Sequence, residues 1–196
     1  MRYRYAVEAD VPALAGLFAA NHHDALTEEQ RAEQGFVQGA FGVEALRGMA
    51  RERELLVADA GQGRLAGLLA LSVARDMGDP PAAVLGLLHA QDGLDWQGRP
   101  LGEVPWLLYG PVVVDAAFRG HGVARGLFGM ALDAAVGRAE LLVAFIEAGN
   151  APSWKVHVDA FGMIPLGEYV VDGRTYTAVA VAVPVAPRGE GGSGAA

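Results

Sequence analysis

Residues 112 to 127 constrain what this chain can fold into more than any other stretch. Val112-Val113-Val114 is an apolar, β-branched run, Asp115 to Gly122 is a short loop, and Val123 opens a helical pattern. β-branched residues favour a pleated strand. Past the loop, Val123, Leu127, Met130, Ala131 and Ala134 fall on one helical face. A strand feeding an amphipathic helix in this way belongs to a mixed α/β fold. Gly120 and Gly122 remove side chains where the backbone must turn and come close to a ligand. The first N–H groups of the helix lack intrahelical partners, and the helix dipole adds to them. Such a corner is an anion site suited to a pyrophosphate. Arg119 and Arg125 bring positive charge to either side of it.

The rest of the chain fits the same class. Arg2 to Val7 alternates and reads as a first strand. Asp10-Val11-Pro12 starts a helix, with Asp10 as N-cap and proline in the first turn. Thr27-Glu28-Glu29-Gln30 has the spacing of a capping box. Gly35, Gly39 and Gly42 break up the chain before a helix over 43–53. Leu55 to Asp59 and Arg64 to Val73 form a hairpin. Residues 75–104, rich in Gly, Pro and Asp, read as a long insertion loop with one apolar piece at Val84 to His89. Val104 to Val114 is a strand broken at Gly110-Pro111, Leu141 to Glu147 a buried strand and Ser153 to Phe161 a short helix. Asp172-Gly173 joins a final hairpin. The expected organisation is one domain over 1–183 and a disordered tail over 184–196.

Composition then excludes several classes of function. Among 196 residues, 15 are basic and 23 acidic, giving a formal net charge of −8. That balance argues against a nucleic-acid partner, which needs a basic face. There is no cysteine, hence no disulfide, no thiolate metal site and no cysteine nucleophile. No stretch reaches the ~20 uncharged apolar residues of a membrane helix, and the charged N-terminus does not read as a secretion signal. The expected compartment is cytoplasmic, without membrane contact.

The segment around the glycine corner resembles the acetyl-CoA-binding motif of the GNAT (Gcn5-related) N-acetyltransferase superfamily, Arg/Gln-x-x-Gly-x-Gly/Ala. Arg119, Gly122 and Ala124 fill its three positions. Asn150-Ala151-Pro152-Ser153 resembles the family's Asn-x-x-Ser/Ala at the start of the next helix, and Phe161-Gly162-Met163 its Leu-Gly-Phe. The resemblance implies a mostly antiparallel sheet of about seven strands, flanked by helices and splayed at the acetyl-CoA site. It implies that Val112, Val113 and Val114 line pantetheine. Arg119, Gly120, His121, Gly122, Val123, Ala124 and Arg125 would cradle the pyrophosphate, with Asn150 and Ser153 alongside. Acetyl-CoA would be a co-substrate, no metal would be needed, and the acceptor would be an amine of a small molecule or peptide. A homodimer is a possible assembly.

This chain departs from the family at the residue that commonly protonates the departing thiolate. A tyrosine is usual there. Seven residues on from Asn150 stands His157, and counting back from Gly162 gives Val158, so the helix carries one extra residue. His157 is the nearest titratable group and a candidate general acid, or a partly exposed helix residue. Glu103 and Glu147, at strand ends, are candidate general bases or solvated carboxylates. His22-His23-Asp24 offers metal-ligand types, but its position favours acceptor contact. Tyr109 reads as packing; Trp96 and Trp106 read as pocket cover or core.

Two rivals stand beside this reading. Gly120-x-Gly122-x-x-x-Gly126, with Glu147 further on, mimics a dinucleotide fingerprint, but Arg119 occupies the tight turn and no βαβ repeat precedes it. The other is a GNAT-shaped protein that binds acyl-CoA without turnover, as a sensor or interaction module.

Overall fold

The computed structural model describes residues 1–34, 36–37 and 41–185, with the side chains of 32–34 set aside. Gly35, Gly39 and most of the expected tail lie outside the described residues.

Seven strands form one sheet in the order β1-β2-β3-β6-β7-β9-β8. They are β1 (Arg2–Tyr5), β2 (Leu55–Gly61), β3 (Arg64–Ser72), β6 (Trp106–Val114), β7 (Leu141–Glu147), β8 (Ile164–Val171) and β9 (Arg174–Ala182). Two short strands, β4 (Asp95–Trp96) and β5 (Arg99–Pro100), pair separately. Every pairing in the large sheet is antiparallel except β6 with β7. That parallel pairing is brief. It joins Trp106, Leu107 and Leu108 to Leu141, Leu142 and Val143, although both strands run on. Beyond Leu108 the sheet is splayed, as the fold class implied.

A bulge sets the facing of β6. Leu71 pairs with Tyr109 and Leu69 with Val112, so one residue of β3 opposes two of β6, Gly110 and Pro111. An extra residue reverses the in-out alternation beyond it. Leu107 and Tyr109 therefore pack toward α5 (Val123–Ala135), and so do Val112 and Val114. Val113 faces the other way, under α1 (Val11–Asn21) and α3 (Val43–Arg51). On the α5 side Leu127 and Ala131 are fully buried. Burying one such leucine contributes roughly 1.5–3 kcal/mol.

Local signals explain much of the rest. The Thr27 hydroxyl accepts the Gln30 backbone N–H at 3.2 Å and the Gln30 side-chain Oε1 accepts the Thr27 N–H at 2.9 Å, a reciprocal box that starts α2 (Glu28–Gln34). Asp172 and Gly173 both have positive φ, at 50° and 74°, as a two-residue turn between β8 and β9 requires. Asp10 does stand before α1, but its carboxylate does not cap that helix. It accepts the Val7 N–H and both Nη groups of Arg4.

Residues 75–104 differ from the expected loop. Ala82–Ala90 is a helix, α4, followed by the β4–β5 pair. Leu87, Leu94, Trp96 and Leu101 build a second core against Leu108, Val143 and Tyr169. The segment covers one face of β6–β9 because it carries enough large apolar side chains to bury.

Candidate functional site

The splay between β6 and β7 opens into a cavity of about 630 Å³. Val112, Val113 and Val114 form one wall. The motif loop and the start of α5 close one end through Arg119, Gly120, Gly122, Val123, Ala124 and Arg125. Gly120 and Gly122 have φ of 74° and 77°, a region that side-chain-bearing residues disfavour. A Cβ built on either would meet nothing within 4 Å, so the backbone corner is open to a ligand. Arg119 donates to Asn21 Oδ1 at 2.8 Å, which ties the corner to the end of α1. His121 donates its Nδ1–H to the Arg119 carbonyl at 2.7 Å and is not among the wall residues.

The opposite wall is the segment after β7. Asn150 is buried, and its Oδ1 accepts the Ser153 N–H at 3.2 Å, capping α6 (Ala151–Trp154). The helix then widens into a π turn over Lys155–Ala160, marked by the Phe161 N–H bonding to the Val156 carbonyl five residues back. The extra residue counted between Asn150 and Gly162 is taken up there; such widened turns occur often at functional sites. Ser153, Val156, His157 and Phe161 face the cavity.

His157 sits in an apolar pocket within this wall. Its ring meets Tyr109 edge-on at 5.7 Å and Phe161 at 6.0 Å. Nδ1 lies 2.8 Å from the Ser153 carbonyl oxygen. Burial pushes its pKa below the ordinary 6.5, against the opposing pull of that hydrogen bond. Burial likewise pushes the Tyr109 phenol far up, and its hydroxyl has no hydrogen-bond partner among the described residues.

The carboxylate candidates lie elsewhere. Glu103 is exposed in the turn before β6, and Glu147 ends β7 with Arg174 at 3.4 Å; neither is part of the cavity wall. Among the described residues the wall contains no acidic side chain, and its charged side chains are Arg119, Arg125 and Lys155. Trp96 and Trp106 are core residues beneath the insertion. The His22 ring caps a short turn by accepting the Asp24 N–H, and the described residues contain no cluster of three metal ligands. Asn21, Phe36 and Val37 also line the cavity. They come from the far N-terminal part of the chain and carry no local signal of that role.

The corner, the splayed strand and the capped wall thus enclose one open, cationic cavity. The chain resembles Ribosomal-protein-alanine N-acetyltransferase from Brucella melitensis, at 21% identity and TM-score 0.61, covering 93% of this chain and 99% of that one. It resembles yncA from Salmonella typhimurium, solved with its cofactor acetyl-CoA, at 20% identity and TM-score 0.60, covering 96% and 98%. Arabidopsis thaliana NAA60, in complex with a bisubstrate analogue, matches at 12% identity and TM-score 0.60, covering 94% and 99%. At these identities the likeness is one of fold. No curated protein sequence matches. The sequence model of the Acetyltransferase (GNAT) family matches residues 22–163, well over half of the chain, and the protein therefore belongs to the GNAT acetyltransferase family.

Proposed function

We propose that this protein is an acetyl-CoA-dependent N-acyltransferase, moving an acetyl group to a primary amine of a small molecule or peptide by direct attack in a ternary complex. The observation that carries this reading is one cavity joining the splayed β6 backbone to a cationic, glycine-cornered helix start. Arg119, Arg125 and the first N–H groups of α5 would hold the pyrophosphate. Val112 to Val114 would run beside pantetheine, with Asn150 and Ser153 across from them. A backbone N–H of β6 would polarise the thioester oxygen; Pro111 has none to give, so Val112 is the nearest donor past the bulge.

The reaction needs an amine stripped of its proton, a stabilised oxyanion and a departing thiolate. With no cysteine in the chain, an acyl-cysteine relay is not available, and sequential kinetics are expected. His157, Glu103 and Glu147 are the candidate proton carriers, and of these His157 lines the cavity. The solved relatives include a ribosomal-protein-alanine N-acetyltransferase and a complex with a bisubstrate analogue, which supports a peptide amine among the acceptors to test. No helix among the described residues is long and apolar enough to cross a membrane.

The test is acetyl-CoA binding by calorimetry, and then release of free CoA over a panel of polyamines, amino acids and peptide N-termini. Binding with turnover of at least one amine supports the proposal. Tight binding with no thiol release for any amine overturns it in favour of a non-catalytic acyl-CoA-binding module, which the missing tyrosine at the His157 position would suit.

A further inference from the structure

We infer that His157 enters the reaction as the neutral Nδ1–H tautomer, held by the Ser153 carbonyl, and takes the proton of the attacking amine on Nε2. This deepens the acetyl-transfer reading above and rests on it. It also reverses the role expected from the sequence, where a histidine replacing the family's tyrosine would begin as an acid.

The tautomer is set by what each atom can do. Nδ1 is 2.8 Å from the Ser153 carbonyl oxygen and 3.1 Å from the Ser153 hydroxyl. A carbonyl oxygen only accepts, so Nδ1 carries the hydrogen. A neutral imidazole has one N–H, which leaves a lone pair on Nε2. A ring in this state accepts a proton and has none to give from Nε2.

The surroundings keep the ring neutral before substrate arrives. From β6 the group facing it is Tyr109, edge-on, its phenol protonated in the buried pocket. From its own segment it meets Phe161, which stacks on Phe128 of α5. Burial is what disfavours the charged ring, and the charged side chains of the cavity wall among the described residues are Arg119, Arg125 and Lys155, with no carboxylate to hold an imidazolium. Among the described residues, the wall offers no carboxylate to serve as the proton acceptor instead.

The step balances without another reactant. The ammonium of the acceptor first gives one proton to His157 Nε2, and the imidazolium keeps its Nδ1–H on Ser153. The freed nitrogen pair forms a bond to the thioester carbon, and the C=O π pair moves onto oxygen. As the carbonyl re-forms, the C–S bond breaks with its electron pair on sulfur, and the thiolate takes the second proton of that nitrogen, yielding the amide and free CoA. The imidazolium returns its proton to solvent.

Two measurements test this, and the first does not depend on turnover. Nitrogen NMR of histidine-labelled protein, with His157 assigned through His157→Gln, reads the tautomer with and without acetyl-CoA. The expected result is an unprotonated Nε2 at neutral pH and a midpoint below the ordinary 6.5. An Nε2–H tautomer, or an imidazolium at neutral pH, overturns the inference even if acetyl transfer is real. The second compares wild type and His157→Gln, whose amide can still donate to Ser153. With a protonated alkylamine from the panel, kcat/KM is expected to fall about 100-fold or more, the usual range for a lost general base. The acetyl-CoA affinity is expected to hold, and the loss to be smaller with hydroxylamine, which is unprotonated at neutral pH. An equal loss for both nucleophiles assigns His157 to thiolate departure and overturns the base role. Failure of acetyl-CoA to bind at all sinks the transferase reading and the base role with it, whereas the tautomer is decided by the NMR result alone.

Discussion

Arg119 in the motif loop donates to Asn21 Oδ1 at 2.8 Å, across 98 residues of sequence. The Asn21 side chain also donates from Nδ2 to the Leu17 carbonyl at 2.9 Å, so the amide is fixed on α1 before it meets the guanidinium. The first signature residue of the motif is thus oriented by the end of the first helix. Asn21→Ala is expected to cost about 1.5–3 kcal/mol of stability, as for a hydrogen bond to a charged group. It is also expected to raise the KM for acetyl-CoA, because the hydrogen bond that ties Arg119 to α1 is lost. Urea unfolding and steady-state kinetics check both.

Gly122 separates backbone strain from electrostatics. Its φ of 77° places it in the left-handed region, yet a Cβ there would meet no atom within 4 Å. Gly122→Ala is expected to cost about 1–2 kcal/mol of backbone strain and to weaken acetyl-CoA binding only partly. Gly122→Glu adds a carboxylate at the anion corner and is expected to abolish binding while the far-UV spectrum is kept. Unchanged affinity in Gly122→Glu would remove the corner from the phosphate site.

How far the sequence could be read depended on the range of the interaction. The Thr27–Gln30 box and the Asp172-Gly173 turn are local, and both stand as their spacing implied. The motif loop was legible because its glycines and arginines lie within seven residues of one another. Residues 75–104 were not. The helix Ala82–Ala90 is apolar on almost every side, so it has no 3.6-residue stripe to reveal it. Asn21, Phe36 and Val37 reach the cavity through tertiary packing, which no local pattern encodes. Gly126 looked like part of a nucleotide fingerprint; it is a packing glycine, because a Cβ there would run into the Tyr3 ring.

Tyr109 is 2% exposed, and its hydroxyl has no hydrogen-bond partner among the described residues. A buried polar group left unpaired costs about 1–3 kcal/mol. Tyr109→Phe keeps the ring that meets Phe128 and His157 and removes only the hydroxyl. It is expected to raise stability by about 1 kcal/mol or more. A loss of stability in urea unfolding would mean that the hydroxyl is satisfied in solution.

Acid stability has a named contributor. The Asp10 carboxylate accepts from Arg4 at 2.7 and 2.9 Å and from the Val7 N–H at 2.8 Å. Chiefly through Arg4, its pKa is held below the ordinary 3.8. Between 3.8 and that lower value the unfolded chain binds a proton that the folded chain refuses. Stability therefore rises with pH across that window, is fully present above it, and is lost as pH falls through the folded value. Asp10→Asn is expected to flatten this slope and to cost about 2 kcal/mol near neutrality. Chemical unfolding across the acid range measures it.

The insertion is held to the sheet at a point where no side chain fits. Gly86, in the middle of α4, lies against Tyr169 and Val171 of β8, and a Cβ there would overlap the Val171 side chain. Tyr169 fixes the same contact by donating its hydroxyl to the Ala83 carbonyl at 2.9 Å. Gly86→Val is therefore expected to push α4 off β8 and to cost about 1–3 kcal/mol, the range for overpacking. It should also change the near-UV signal of Trp96 and Trp106, which share that core. Gly48 in α3 provides the opposite case, since a Cβ there meets nothing within 4 Å. Gly48→Ala is expected to stabilise by about 0.5–1 kcal/mol through helix propensity alone. If both substitutions destabilised equally, close packing of α4 on β8 would not be what holds the insertion in place.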